Sequence, residues 1–199
     1  DAVAACVVFK KAKPSKKDYR KYLIKTVVGP DDYASMQEVV RRRYSRILEE
    51  QGELPDLILT DGGKGQMEVV KQVIEDELHL QIPIVGLAKN NRHRTSEVLF
   101  GFPPQTLGIK QGTPLFHLLE NIQDEVHRFA ITFHREKRSK SQIASALDHI
   151  KGVGDKRKTA LLKTFKSVAR IRQASLEEIA EVIGESAAKS VKESLSESK

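Results

Sequence analysis

Asp61 stands at the end of a short apolar run, Leu57-Ile58-Leu59-Thr60, and is followed by Gly62-Gly63-Lys64-Gly65. A carboxylate placed where a strand stops, with glycines that let a ligand approach the backbone, is a candidate metal ligand. The competing reading is an acid that caps a helix in an ordinary turn. His127 is the second candidate. It lies on a helical pattern, at the edge of the apolar face, one turn after Asp124, which could orient its ring. A histidine there is either a packed rim residue or a group that binds metal or moves protons. Gly152-Val153-Gly154, followed by Asp155 and then Lys156, Arg157 and Lys158, offers a different chemistry. A glycine hairpin that opens a helix aims backbone N–H groups at an anion, and the cations add to its pull on phosphate.

These residues need elements to hold them. Leu57, Ile58 and Leu59 show no polar alternation, so 57–60 reads as a central strand buried on both faces. From Met67 the apolar positions take helical spacing through Val70, Ile74 and Leu78, which places a helix over about 65–79. Asp61 then sits at the carboxyl end of a strand, where sites gather in open α/β sheets. Gly62-Gly63-Lys64-Gly65 is not a phosphate-binding P-loop. Position 58 is Ile rather than Gly, and the residue after Lys64 is Gly rather than Ser or Thr.

Upstream, 3–9 and 19–26 read as an antiparallel hairpin, and Gly29-Pro30-Asp31-Asp32 as a turn and helix start with its carboxylates at the positive helix end. The expected face of that helix is Tyr33, Met36, Val39, Val40, Ile47 and Leu48. Downstream, 82–88 reads as a buried strand ending at Lys89, and 97–100 with 106–109 as a small hairpin. A long helix is expected from Thr113 to Glu136, buried along Leu115, Leu118, Ile122, Val126, Phe129 and Phe133, with Arg128 and Arg135 spaced to face phosphates. An antiparallel hairpin leading into helix-separated strands is the element order of an RNase H-like mixed sheet with flanking helices, an α/β fold.

Residues 1–136 form this expected domain, and the polar, basic stretch 137–145 reads as a linker. Residues 146–199 are purely helical in pattern, with a second hairpin, Ile183-Gly184-Glu185-Ser186, that imperfectly repeats the first. Ser175 and Glu178 spell a capping box. This all-α segment reads as a tandem helix-hairpin-helix unit that binds duplex DNA. From Arg135 to Arg172 there are 12 basic and 3 acidic residues, whereas Ala174–Lys199 carries 3 basic and 6 acidic ones.

The whole chain has 199 residues and a net charge of +7, with a pI near 9.4. This balance favours a polyanionic partner. Its one cysteine, Cys6, rules out a disulfide framework, reads as a core residue and fits a reducing compartment. No apolar stretch approaches the roughly 20 residues of a membrane span. The sequence opens directly on a strand pattern, which reads as a segment cut from a longer protein.

Five segments carry a family resemblance: Gly-Pro-Asp-Asp-Tyr-Ala-Ser-Met at 29–36, Val-Val-Arg-Arg-Arg-Tyr at 39–44, Asp-Gly-Gly-Lys-Gly-Gln at 61–66, Asp-Glu-Val-His-Arg-Phe-Ala at 124–130 and the hairpin at 152–154. The chain resembles the C-terminal half of UvrC, the incision subunit of bacterial nucleotide excision repair. The resemblance implies an RNase H-like endonuclease that cuts DNA 5′ to a lesion, followed by helix-hairpin-helix DNA binding. It implies a catalytic set of Asp, Asp and His, with Asp61 as the second Asp, His127 as the His and the first Asp on a strand before Val3. Asp32 matches a further family acid.

Phosphodiester hydrolysis needs a metal-activated water, and Asp61 with His127 suits Mg²⁺ or Mn²⁺. Lys64 and Lys89, near strand ends, are candidate phosphate contacts, with Gly152, Val153, Gly154, Lys156, Arg157, Lys158 and Gly184 for the hairpins. The partners implied are damaged double-stranded DNA and the UvrB–DNA pre-incision complex left after UvrA loading, in the cytoplasm and at no membrane. The other readings are a non-catalytic DNA-binding module and an endonuclease V-like enzyme, against which the tandem hairpins argue.

Overall fold

The structure, a computed structural model, describes residues 2–197. Asp1, Ser198 and Lys199, at the outer ends of the two expected domains, lie outside the described residues. The chain divides into two compact units, 1–130 and 131–199.

In the first unit β1 (Val3–Cys6) pairs antiparallel with β4 (Arg20–Leu23), Val3 opposite Leu23. Between them lie a minimal ladder of β2 (Phe9–Lys10) with β3 (Lys13–Pro14) and a 3-10 turn. Helix α1 (Asp32–Glu49) starts where the Asp31 side chain accepts the Ala34 N–H as its cap. Its second turn carries Glu38, whose buried carboxylate accepts the Lys25 and Thr26 N–H groups and the Thr26 hydroxyl, and pairs with Arg42. That one side chain fastens the link from β4 to the helix.

Strand β5 (Ile58–Thr60) precedes α2 (Lys64–Lys71), which runs on into a π-helical turn, Gln72–Glu77. β6 (Ile84–Lys89) lies parallel to β5, Thr60 opposite Gly86. β7 (Thr95–Phe100) and β8 (Gln105–Thr106) add antiparallel, giving a four-stranded mixed sheet of order β5-β6-β7-β8. Alternation along the strands sends Ile84 and Leu99 to one face, against Met67, Val70 and Ile74, with Tyr44 in the same cluster. It sends Val85, Leu87 and Val98 to the other face, against Phe116 and Leu119 of α3 (Pro114–Leu147).

Three expectations change. β5 is an edge strand of this sheet rather than a central one, because it pairs only with β6 while β1 and β4 keep a ladder of their own. Leu57 falls outside it and is exposed. The α3 face that meets the sheet is Phe116, Leu119 and Gln123, not the stripe beginning at Leu115, which is 51% exposed. The expected linker 137–145 is helical, part of α3. Its composition is polar and basic, but it holds no Gly or Pro, and Glu, Lys, Arg, Gln and Ala are good helix formers. A charge run is a solvated face here, not a break.

In the second unit α4 (Asp155–Phe165), α5 (Val168–Gln173), α6 (Leu176–Ile183) and α7 (Glu185–Glu197) close over Ile143, Leu147, Val153, Leu161, Ile171, Ile179, Ile183 and Val191. The capping box of Ser175 with Glu178 forms as its spacing predicts. α5 is a short helix that the sequence pattern did not single out. Among the described residues no helix is long and apolar enough to cross a membrane.

Candidate functional site

Asp61 leaves the carboxyl end of β5 and enters a tight loop held by Thr60, whose hydroxyl donates to the Gly62 carbonyl at 3.0 Å. The loop packs down on β6 at Gly86. A Cβ there would come within 2.8 Å of the Gly62 oxygen and collide with the Met67 sulfur. Gly86, a position no sequence motif marked, is thus what lets the Asp61 loop close on its neighbouring strand.

Three side chains from two elements meet at the Asp61 carboxylate. Lys89, the last residue of β6, places its ammonium 2.9 Å from Oδ1. Gln123 of α3 donates to the same oxygen at 2.7 Å. His127, one turn further along α3, puts Nε2 2.6 Å from Oδ2 and 3.1 Å from the Lys89 nitrogen. Burial works most strongly against the Asp61 charge, yet the hydrogen bonds from Lys89, His127 and Gln123 outweigh it, and the carboxyl stays below the usual carboxylate range. Gln123 is itself 5% exposed and pinned at its other end, where its carbonyl accepts the Thr95 hydroxyl.

The helix is held in this register by a clasp around His127. Tyr19, just before β4, donates to Glu125 at 2.9 Å and meets the Phe129 ring edge-on at 5.0 Å. Glu125 also receives the Arg128 guanidinium at 2.7 Å and is held down to about 2. Desolvation and the Glu125 contact push the Tyr19 hydroxyl up to about 12.

The structure therefore brings Asp61, Lys89 and His127 together, and adds Gln123 and Thr95, which sequence reasoning missed. Lys89 does not stand free for phosphate as expected; it is engaged with Asp61. Asp124 does not orient His127. It is exposed and forms no hydrogen bond among the described residues, and the ring is positioned by Asp61 instead. Asp32 is at the first turn of α1, exposed, with no ion pair among the described residues. Its neighbour Tyr33 packs where Gly65 leaves room, so Asp32 lies next to a residue that touches the Asp61 loop's helix. Lys64 is exposed at the start of α2. Arg128, expected to face phosphate, is turned onto Glu125.

One nitrogen of His127 faces both a carboxylate oxygen and an ammonium. With its proton on Nε2 the ring donates to Asp61, and Nδ1 is left as its acceptor. As metal donors, Asp61 and His127 are of the right kind for Mg²⁺ or Mn²⁺. They are two donors, and among the described residues no group of three His, Cys, Asp or Glu side chains converges on a point.

A cavity of about 620 Å³ lies among His79, Leu80, Ile82, Pro83 and Phe100, at the opposite end of β6 from Lys89. A smaller cavity adjoins His127.

At the first hairpin Gly152 has φ +86° and Gly154 precedes α4 in an extended conformation. Lys158 is spent on Asp148 at 2.7 Å, and Arg157 donates to the Gly152 carbonyl at 2.6 Å. Lys156 has no partner among the described residues. At the second hairpin Gly184, φ +89°, closes α6 and leads straight into α7, and Val182 belongs to the helix. Val153 and Ile183, the residues before the two N-terminal glycines, are both 5% exposed, so the hairpins share a buried anchor.

The first unit thus carries an acid–imidazole cluster at a strand end of a mixed sheet, and the second is a helical unit with two glycine hairpins. Residues 1–131 match the family model described as the UvrC RNase H endonuclease domain. Residues 144–197 match one described as a SAM-like helix-hairpin-helix tandem. The chain belongs to the UvrC RNase H endonuclease domain family. It is 79% identical over 98% of its length to the UvrABC system protein C of Bacteroides thetaiotaomicron, and 62% identical over 89% to that of Streptococcus uberis. It spans 32% and 30% of those proteins, about a third of the curated relatives it matches.

Proposed function

We propose that this chain is the part of a nucleotide excision repair incision protein that hydrolyses DNA 5′ to a lesion and grips the duplex beside the cut. The observation that carries this reading is the convergence of Asp61, His127, Lys89 and Gln123 at the carboxyl end of β5. Family membership and the tandem hairpins support it. Partners in this reading are damaged double-stranded DNA and the UvrB–DNA complex that follows UvrA loading, and the compartment is the cytoplasm.

Asp61 and His127 would hold Mg²⁺ or Mn²⁺ together with ligands beyond the two described here, one of them the acid that the family resemblance puts on a preceding strand. Such an ion supplies an activated water and neutralises charge at the phosphate. The chain's own residues do the rest. Gln123 fixes the Asp61 carboxylate, Lys89 keeps it ionised and brings positive charge to the phosphate side, and His127 ligates the ion or moves a proton at Nε2. Gly152, Val153, Gly154 and Lys156 contact a phosphate from the start of α4, with Arg157, Lys158 and Gly184 completing the hairpins.

In the full-length protein, Asp61→Asn is expected to abolish the 5′ cut and to leave duplex affinity within about twofold. Incision of a defined adduct by the Asn variant at the wild-type rate defeats the assignment. The second reading, a DNA-binding module with the sheet as scaffold, draws on the shortage of converging ligands and makes just that forecast.

A further inference from the structure

The turn joining β6 to β7 stands beside the Asp61 cluster with its cations uncommitted. Asn90 satisfies the turn from within. Its Oδ1 accepts the Arg92 and Arg94 N–H groups at 2.9 and 3.2 Å, and its own N–H donates to the Arg94 carbonyl at 2.9 Å. The side chains of Arg92, His93 and Arg94 are therefore not needed to hold the turn. All three residues are exposed, and these side chains have no hydrogen bond or ion pair among the described residues. Lys89, at the base of the same turn, is by contrast engaged with Asp61.

Between this turn and α3 lies a polar cavity of about 270 Å³. His93 and Arg94 line it from the turn, Asn121 and Asp124 from the helix, and Gln123 and His127 also line it. Those last two side chains also touch the Asp61 carboxylate, so cavity and cluster share a wall.

The lining carries both signs of charge. A bare phosphate drawn to Arg94 would also face Asp124 and Glu120, which repel it. A nucleotide suits both sides. Its phosphate meets the guanidinium, and the N–H donors of its base meet the carboxylate and the Asn121 amide, which can donate or accept. The volume has room for one such unit.

Resting on the hydrolytic reading of Asp61 and His127, we propose that this cavity is a nucleotide subsite. It seats the nucleotide next to the phosphodiester presented to Asp61, with its phosphate on Arg94 and His93 and its base edge toward Asn121 and Asp124. Seating the neighbour holds the reacting bond in place, which is how a remote contact speeds a hydrolysis.

Arg94→Gln and Asn121→Ala in the full-length protein test this on a defined adduct duplex. Each is expected to raise KM for incision about five- to tenfold. Arg94→Gln is expected also to flatten the slope of log K against log salt by about 0.9, one lost phosphate contact. 5-Iododeoxyuridine beside the incised bond is expected to crosslink to the peptide bearing His93 or Asn121, and millimolar inorganic phosphate is expected not to compete. Unchanged KM and slope in Arg94→Gln, or crosslinks confined to other peptides, overturn the subsite while Asp61→Asn still tests the hydrolytic reading by itself. Competition by inorganic phosphate alone reduces the cavity to an anion site and overturns the nucleotide assignment.

Discussion

Gln123 is held at both ends, by the Thr95 hydroxyl and the Asp61 carboxylate, and is almost fully buried. A glutamine so placed fixes which way Asp61 faces, since the amide donates to one chosen oxygen and cannot swing without leaving Thr95 unsatisfied. Gln123→Leu keeps the volume and removes both bonds. Its expected effect is a 10- to 100-fold fall in the incision rate, the size of a hydrogen bond to a charged group at about 1.5–3 kcal/mol, with duplex affinity unchanged. A loss of affinity that matches the loss of rate would mean that Gln123 only supports the fold. Asp61, His127 and Lys89 were legible in the sequence because their types announce chemistry and each sits where an element ends or an apolar face turns. Gln123 and Gly86 were not. A glutamine on a helix reads as surface, and a glycine inside a strand names no partner until the loop above it is seen.

Elements were read best where the hydrophobic period was strong, as in α2 and β6, and where a cap is spelled out, as at Ser175, whereas the expected α1 face put Tyr33 and Leu48 inward, which are exposed, and left out the buried Tyr44. They were read worst where a decision rested on neighbours. Which face of α3 is buried depends on the sheet it meets, and β5 looked central only because three apolar residues in a row do not show which edges are paired. Glu38 shows how much such a decision can carry, since its carboxylate ties the β4–α1 link to the helix. Hydrogen bonds from the Thr26 backbone and hydroxyl lead in holding it at about 2, below its ordinary 4.5. A depressed carboxyl contributes stability that is fully present above its unfolded value and lost as pH falls through its folded one. Thermal melts of the chain are thus expected to drop between about pH 4.5 and pH 2. Glu38→Gln is expected to melt several degrees lower at neutral pH, with a shallower dependence across that window. An identical acid profile in wild type and variant would show that Glu38 does not govern it.

Over the whole molecule, charge and hairpin geometry are divided unevenly. Of the net +7, the second unit holds +6 and the first only +1. The salt dependence of duplex binding therefore belongs chiefly to the helical unit, and within it to the stretch before Ala174. In the sequence three cations, Lys156, Arg157 and Lys158, follow Gly154, and one, Lys189, follows Gly184. The structure narrows this. Lys158 is neutralised by Asp148 and Arg157 is bound to the Gly152 carbonyl, which leaves Lys156, of these three, without a partner among the described residues. The second hairpin begins with Glu185, and its helical Val182 replaces the flexible Gly152, so its backbone reaches a phosphate less freely. Each lost phosphate contact flattens log K against log salt by about 0.9. Lys156→Gln is thus expected to cost about one unit of slope. Arg157→Gln should cost less, because that guanidinium must first leave its carbonyl, and Lys189→Gln should cost well under half a unit. Salt titrations of the chain on a bubble duplex read all three directly. Equal slopes for Lys156→Gln and Lys189→Gln would mean that both hairpins grip DNA alike, and the asymmetry argued from their glycines and ion pairs would fall.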